Sequence, residues 1–360
     1  MKAYFEEITD PRQEWKVEHN LVEIVVMTIC AVISGCEHWE DIVDFCKVKQ
    51  SWFKEKLGLV LKNGLASHDT FQRVFQLICP MEPERCFLSW IKSVVRQTNG
   101  EIISIDGKTV CGSRDAKAKA VHMVSAWANA NQLVLGQVKA DEKSNEITAI
   151  PTLLEMLELR GCIVTIDAMG CRKDIAKDIV EAGAGYVFGL KGNQSGLHED
   201  GKLYFENEPV KDKALTHDKG HGRIETREYL LETDIDRLHQ KLDWKALGGI
   251  GMVKSGVLEK GSLREETRYF ITSLTDVNDF AKAVRAHWGI ENSLHWCLDA
   301  VFHEDACRTR KDNSAENFSV IRRIALNILK KFPANMSLAR KRRKCAYDDD
   351  FMADVPLSAF

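Results

Sequence analysis

No apolar run in the chain is long enough to cross a bilayer. The most apolar window, Leu21–Cys36, has 16 residues and includes Glu23, whereas a spanning helix needs about 20 apolar residues. The window reads as a buried helix. Zinc-ribbon and redox spacings are missing too, because none of the 11 cysteines forms a Cys-x-x-Cys pair. Cys30, Cys36, Cys79 and Cys162 sit inside apolar runs, as free thiols do in a reducing compartment. The acidic opening, Met1 to Asp10, lacks the apolar core of a signal peptide. Together these absences lead to the expectation of a soluble, cytoplasmic protein that does not engage a membrane. Repeats and low-complexity tracts are also absent. With 360 residues, 44% of them hydrophobic, the chain can fill one large domain and a small one.

Strong charge of either sign is missing as well. The net charge is -3 and the pI about 6.4. A compact DNA-binding module is usually basic, so the total argues mildly against nucleic acid. The sum hides an asymmetry, however. Residues 311–345 carry ten Lys or Arg against Asp312 and Glu316, a local charge of +8. The stretch ends in the unbroken basic run Arg340–Lys344. Such a run reads as a solvated tail that also attracts phosphate backbones.

The pattern divides the chain into three regions. Residues 1–96 read as a helical N-terminal domain, with apolar positions at helical spacing in Leu21–Ile33, Trp39–Phe45 and Thr70–Ile78. Ser67 is placed to cap the third of these helices, and Pro80 to close it. From Glu101 the texture changes. Glu101–Val110, Val121–Ala128 and Gln132–Lys139 are short β-branched runs, followed by a helix over Asn145–Leu159, a strand at Cys162–Ile166, a helix at Lys173–Ala182 and a strand at Tyr186–Leu190. The order β-β-β-α-β-α-β predicts an α/β fold, a mixed sheet flanked by helices. Residues 195–270 are charged, with strand-like pieces at Ile224–Leu231 and Tyr269–Leu274, and read as a β-containing insertion within the core domain of residues 97–335. Long helices return from Asp276, and residues 336–360 form a basic, then acidic, C-terminal tail.

Two of the strands end alike. Ile102–Ile105 leads into Asp106-Gly107, and Ile163–Ile166 into Asp167-Ala168. In sheets with parallel neighbours, sites form at the carboxyl ends of strands. Two aspartates side by side repel unless a cation lies between them, and carboxylate oxygens suit magnesium. The competing reading is a pair of turn aspartates, each capping the segment after its strand. A third carboxylate lies in RAHWGIENSLHW, where His287, Glu291 and His295 recur every four residues on one helical stripe. The His-Glu-x-x-His spacing of zinc peptidases is missing, so a hard-metal carboxylate beside a phosphodiester substrate is favoured over a zinc hydrolase.

The strings IDGKT, KSNEITAIP, TIDAMGC, LKGNQ, GHGRIETR, HWGIENSLHW and RRIALNIL, with DPRQ and ASHDTFQRVF ahead of them, stand in this order over residues 5–350. Together they resemble the insertion-sequence transposases of the ISAs-one family, which includes the bacterial H-repeat-associated proteins. The resemblance implies a ribonuclease-H-like fold of the DDE superfamily. It implies a triad of Asp106, Asp167 and Glu291 that binds Mg²⁺ (Mn²⁺ able to substitute) and catalyses DNA cleavage and strand transfer. Double-stranded DNA at the element ends and target would be the substrate, handled by a homodimer. Related transposases carry Tyr-x2-Arg-x3-Glu-x6-Lys around the glutamate. Here Val284, His287 and Leu298 replace the Tyr, Arg and Lys. Phosphate contacts then fall to Arg285, His287 and His295, together with Lys108, Lys191, Asn193 and Arg223, which flank the site in sequence. Asp299, Glu304 and Asp305 are nearby alternatives to Glu291. Trp288 could stack on an unpaired base or lie buried. The N-terminal helices show no clear helix-turn-helix signature and would serve terminal-repeat binding or dimerisation. The altered positions keep open a catalytically inactive, transposase-derived DNA-binding protein, and a nuclease that cuts without joining has the same site.

Overall fold

A computed structural model describes residues 2–95, 100–114, 119–140, 146–207, 210, 212–220, 222–238 and 240–357. The expected domain boundary near residue 96 and the first residue of the helix expected from Asn145 lie outside these. The chain opens with helices α1 (Lys2–Phe5), α2 (Leu21–Ile33), α3 (Trp39–Val48), α4 (Gln50–Leu57), α5 (His68–Leu77) and α6 (Met81–Val94). The Asn20 side chain caps α2 by accepting from the Glu23 amide. All of α2 is buried. Glu23 tolerates burial because its carboxylate accepts from the Val60 and Leu61 amides at 2.7 and 3.1 Å. Ser67 caps α5 as expected.

The sheet begins with β1 (Ile102–Val110), β2 (Val121–Ala128) and β3 (Leu133–Ala140), followed by α7 (Glu146–Glu155), β4 (Ile163–Ile166), α8 (Lys173–Glu181) and β5 (Gly185–Leu190). β1, β2 and β3 pair antiparallel, whereas β1, β4 and β5 pair parallel, in the order β3-β2-β1-β4-β5. An antiparallel meander continued by two helical crossovers is the ribonuclease-H-like arrangement. One detail departs from the sequence reading: β1 does not stop at Asp106. β2 pairs with it as far as Val110, whereas β4 leaves it after Ile105.

The inserted region comprises α9 (Ser195–Asn207), β6 (Asp212–Gly220), β7 (Arg223–Glu232), β8 (Gly249–Glu259) and β9 (Ser262–Thr272). β9 pairs antiparallel with β5, so the insertion lengthens the same sheet to nine strands in the order β3-β2-β1-β4-β5-β9-β8-β7-β6. Next come α10 (Val277–Ile290), α11 (Trp296–Ala300), α12 (Ser314–Lys331), α13 (Leu338–Tyr347) and α14 (Asp349–Leu357). α10 lies across β1, β4, β5, β6 and β7. Its underside, Phe280, Ala281, Ala283 and Val284, forms a second core with Val187, Tyr229, Leu231 and Val253. Burying side chains such as Phe280 and Val284 stabilises the fold by about 1.5–3 kcal/mol each. Gly251 makes room for this, since a Cβ there would stand 2.2 Å from the Phe280 ring.

α12 joins the helical layer to the sheet, touching α2, α5 and α6 on one side and β3 on the other. Its Asn327 amide exchanges hydrogen bonds of 2.9 and 2.8 Å with the Val134 N–H and C=O, which pairs a stretch of edge strand that would otherwise be open. The basic run Arg340–Lys344 is not a solvated tail: it lies within α13. Lys341 Nζ donates to the Leu329 and Phe332 carbonyls at 2.7 and 2.6 Å, and the Arg342 guanidinium donates to the carbonyls of Val32 and Val301. Val32 and Leu329 lie in the last turns of α2 and α12, where carbonyls lack helical partners and the helix dipole is negative. Two members of the run thus serve helix ends, while Arg340 and Arg343 remain exposed.

Candidate active site

Parallel pairing sets the first half of the site. The last β1–β4 pair is Ile105 with Ile166, so Asp106 and Asp167 come next on neighbouring strands at the same level. Asp167 is also a turn residue: its Oδ1 accepts from the Met169 and Gly170 amides at 2.9 and 3.3 Å. Gly170 is needed there, because a Cβ would come within 2.3 Å of Ile166. The loop is clamped from below by the LKGNQ segment. Asn193 Nδ2 donates to the Ala168 carbonyl at 2.5 Å and Gln194 Nε2 to the Cys171 carbonyl at 3.0 Å.

The second half rides on α10. A polar chain docks the helix: Asn129 Nδ2 donates to Ser104 Oγ, Thr165 Oγ1 donates to the same oxygen, and Thr165 Oγ1 lies 2.9 Å from His287 Nδ1. Gly289 permits the close approach, since a Cβ there would be 2.4 Å from Asn129 Oδ1. After Ile290 the helix widens into one π turn, Glu291–His295. Sequence spacing predicts a regular helix here. π turns are rare, and many mark functional sites. α10 brings Glu291 to Asp106, and the π turn after it sets His295 beside both, with Nδ1 3.5 Å from Glu291 Oε2 and 3.6 Å from Asp106 Oδ2. Asp106, Glu291 and His295 each offer a donor atom within 4.8 Å of the others.

Electrostatics mark this as a place that wants a cation. Burial raises the Asp106 pKa, and the Glu291 and Asp167 carboxylates raise it further. Burial also raises Asp167, although the Gly170 and Met169 amides hold it back. Glu291 is lowered, chiefly by its contact with His295. The Asp106–Glu291 pair thus disfavours two full negative charges side by side, a cost that a divalent ion between them would relieve. Carboxylate oxygens at a strand end and a helix turn are the donor set such an ion takes, so these residues fit the implied metal.

The carboxylates open into a cleft of about 580 Å³ that Lys191, Lys202, Arg268, Trp288 and Tyr269 also line. Lys191 is exposed at its rim. Trp288 is 39% exposed, with the Arg268 guanidinium 4.4 Å from its ring centre. It is therefore a cleft residue and not a core one. Arg268 and Lys202 had no signal in the sequence, because they sit on β9 and α9 of the insertion, which only the fold brings beside the carboxylates.

Other expected DNA contacts are committed elsewhere. Lys108 is buried, with its Nζ 2.7 Å from Asp299, 2.9 Å from Asp305 and 3.7 Å from Glu304. That network holds the three carboxylates named as alternatives to Glu291, and Glu304 also pairs with buried Arg323 at 3.0 Å. Burial lowers His287 to about 4, so it is neutral, with Nδ1 on Thr165. His295 is buried and its Nε2 has no partner. Arg223 pairs with Glu225 at the β6–β7 turn, and Arg285 faces Asp218 at 3.6 Å. Neither lines the cleft. Asn193 serves the Asp167 loop. A buried pair gave no signal in the sequence either. His122 Nε2 lies 2.6 Å from Glu146 Oε1 beneath Gly107, where a Cβ would stand 2.4 Å from that nitrogen.

The inserted mixed sheet thus brings Asp106 on β1, Asp167 just after β4 and Glu291 at the end of α10 into one cleft. Comparison with known proteins gives the family. Residues 97–328 match the transposase DDE domain, and residues 2–91 match the DDE_Tnp_1-associated domain. The chain belongs to the DDE transposase family. It is 43% identical over 363 residues to YhhI, an H repeat-associated protein of Escherichia coli (strain K12), covering 97% of this chain and 95% of that one. It is 42% identical over 367 residues to YncI of Escherichia coli O157:H7, covering 98% and 93%. Among solved structures, a piggyBac transposase synaptic complex with hairpin DNA aligns at a TM-score of 0.46 and 12% identity, covering 97% of this chain and 78% of that chain.

Proposed function

We propose that this transposase family member is an active DNA strand-transfer enzyme whose cleft cuts the ends of an insertion sequence and joins them to target DNA. The observation that carries this reading is the convergence of Asp106 and Asp167, level on parallel strands, with Glu291 brought to Asp106 by α10. Mg²⁺ or Mn²⁺, when bound by these three residues, supplies an activated water and stabilises the leaving 3′ oxygen. The chain's own residues do the rest. The sheet fixes the two aspartates, and the Ser104–Thr165–His287 chain holds α10 so that Glu291 stays in register. Lys191 offers positive charge to the phosphate backbone along the cleft, Lys202 and Arg268 would do so by exchanging Glu199 and Glu266, each 2.7 Å away, for phosphate, and Trp288 offers a face for an unpaired base. The protein works on double-stranded DNA in the cytoplasm, assembled there as a homodimer. Among the described residues no helix is long and apolar enough to cross a membrane. Residues 1–96 form the end-recognition or dimerisation domain, and 97–335 the catalytic core.

One observation favours the retired DNA-binding alternative. Val284 is packed in the second core and Leu298 is fully buried, so neither replaces the polar residue other transposases use at that position. The test is an assay on DNA carrying the element's ends, with Mg²⁺ or Mn²⁺. Nicked ends together with joined products establish the transposase. Cleavage without joining indicates a nuclease, and binding without cleavage under either metal indicates the retired protein.

A further inference from the structure

His295 is placed as no phosphate contact could be. Its side chain is only 8% exposed and Nε2 is closed off without a partner, which leaves Nδ1 as the one edge available for chemistry. That edge faces two carboxylates at once, 3.5 Å from Glu291 and 3.6 Å from Asp106. Both separations exceed the usual hydrogen-bond length of about 2.9 Å. Two donors bound about 2.1 Å from one ion, at octahedral or tetrahedral angles, stand about 3.0–3.4 Å apart. The two distances that meet at His295 therefore need only a slight contraction to suit a ligand set whose donor atoms all lie within 4.8 Å of one another. Asp167 lies outside that set.

Building on the metal-dependent reading above, we propose that His295 is a nitrogen ligand of the ion held by Asp106 and Glu291. That ion would then have a mixed set of oxygen and nitrogen donors. Imidazole suits transition metals better than it suits magnesium, so the mixed position prefers Mn²⁺ to Mg²⁺.

The test is pulsed electron paramagnetic resonance of Mn²⁺ bound to the full-length protein, alongside a binding titration. The expected result is ¹⁴N modulation in the wild type. His295→Gln should lose it and bind Mn²⁺ about tenfold or more weakly, since even outer partners of metal ligands cost that much. Saturable Mn²⁺ binding without nitrogen coupling in the wild type overturns the role of His295 and leaves the carboxylate site standing. Absence of saturable Mn²⁺ binding overturns the metal-dependent reading itself. The wild-type spectrum decides between these outcomes even if the variant folds poorly.

Discussion

The strand-borne half of the site and its helix-borne half are held in place by different physics. Asp106 and Asp167 are fixed by backbone pairing between β1 and β4, a local and redundant constraint. Glu291 and His295 depend on where α10 lies, which is set by the polar chain to Thr165 and by the apolar core that the inserted strands supply under Phe280 and Val284. The insertion is therefore more than a loop tolerated between two ligands. It supplies part of the platform on which the third ligand stands.

The largest expected effect comes from the strand half. Asp106→Asn or Asp167→Asn should lower end cleavage by about 1000-fold or more, because metal charge stabilisation is worth several kcal/mol. The melting temperature should hold or rise, since burying these carboxylates is costly in the absence of metal. Quantified gel cleavage beside a thermal melt checks both parts. Activity retained in either mutant would break the comparison at its strand end.

The helix half should fail differently. Phe280→Ala should cost about 3–5 kcal/mol in urea unfolding, the usual range for a buried phenylalanine. It should also weaken Mn²⁺ binding although it touches no ligand. Lost stability with unchanged metal affinity would show that α10 is positioned without the inserted strands.

Acid should act on the same half. Burial lowers His287 to about 4 from 6.5, so the unfolded chain binds its proton first as pH falls. Its stabilising contribution is complete above about pH 6.5 and declines between there and pH 4, by at most about 1.4 kcal/mol per pH unit. His287→Gln should flatten the pH dependence of unfolding in that window. A slope left unchanged would assign the acid sensitivity to other groups. The smallest effect is expected from Trp288→Ala, about 1–3 kcal/mol in binding DNA with an unpaired end base and none with blunt duplex. Equal losses on both substrates would argue against stacking.

The halves also differ in how well the sequence reveals them. Ile102–Ile105 and Ile163–Ile166 announce buried strands by composition, and an aspartate at the end of each is readable without the fold. Glu291 is legible as a candidate from its four-residue spacing with His287 and His295, but that spacing cannot distinguish a regular helix from a π turn. β6 escapes a sequence reading because Asp212–Gly220 is exposed along nearly its whole length and shows no apolar alternation. Lys108 and the basic run mislead for one reason: a cation in sequence looks like a phosphate contact. Only tertiary structure shows Lys108 among three carboxylates and Arg342 at a helix end.

The claim that both halves make one metal site is tested most directly by anomalous diffraction from crystals soaked in Mn²⁺. Peaks are expected within ligand distance of Asp106, shared with Asp167 on one side and Glu291 on the other. Peaks confined to the cluster of Asp299, Glu304 and Asp305, or no ordered ion near Asp106, would contradict it.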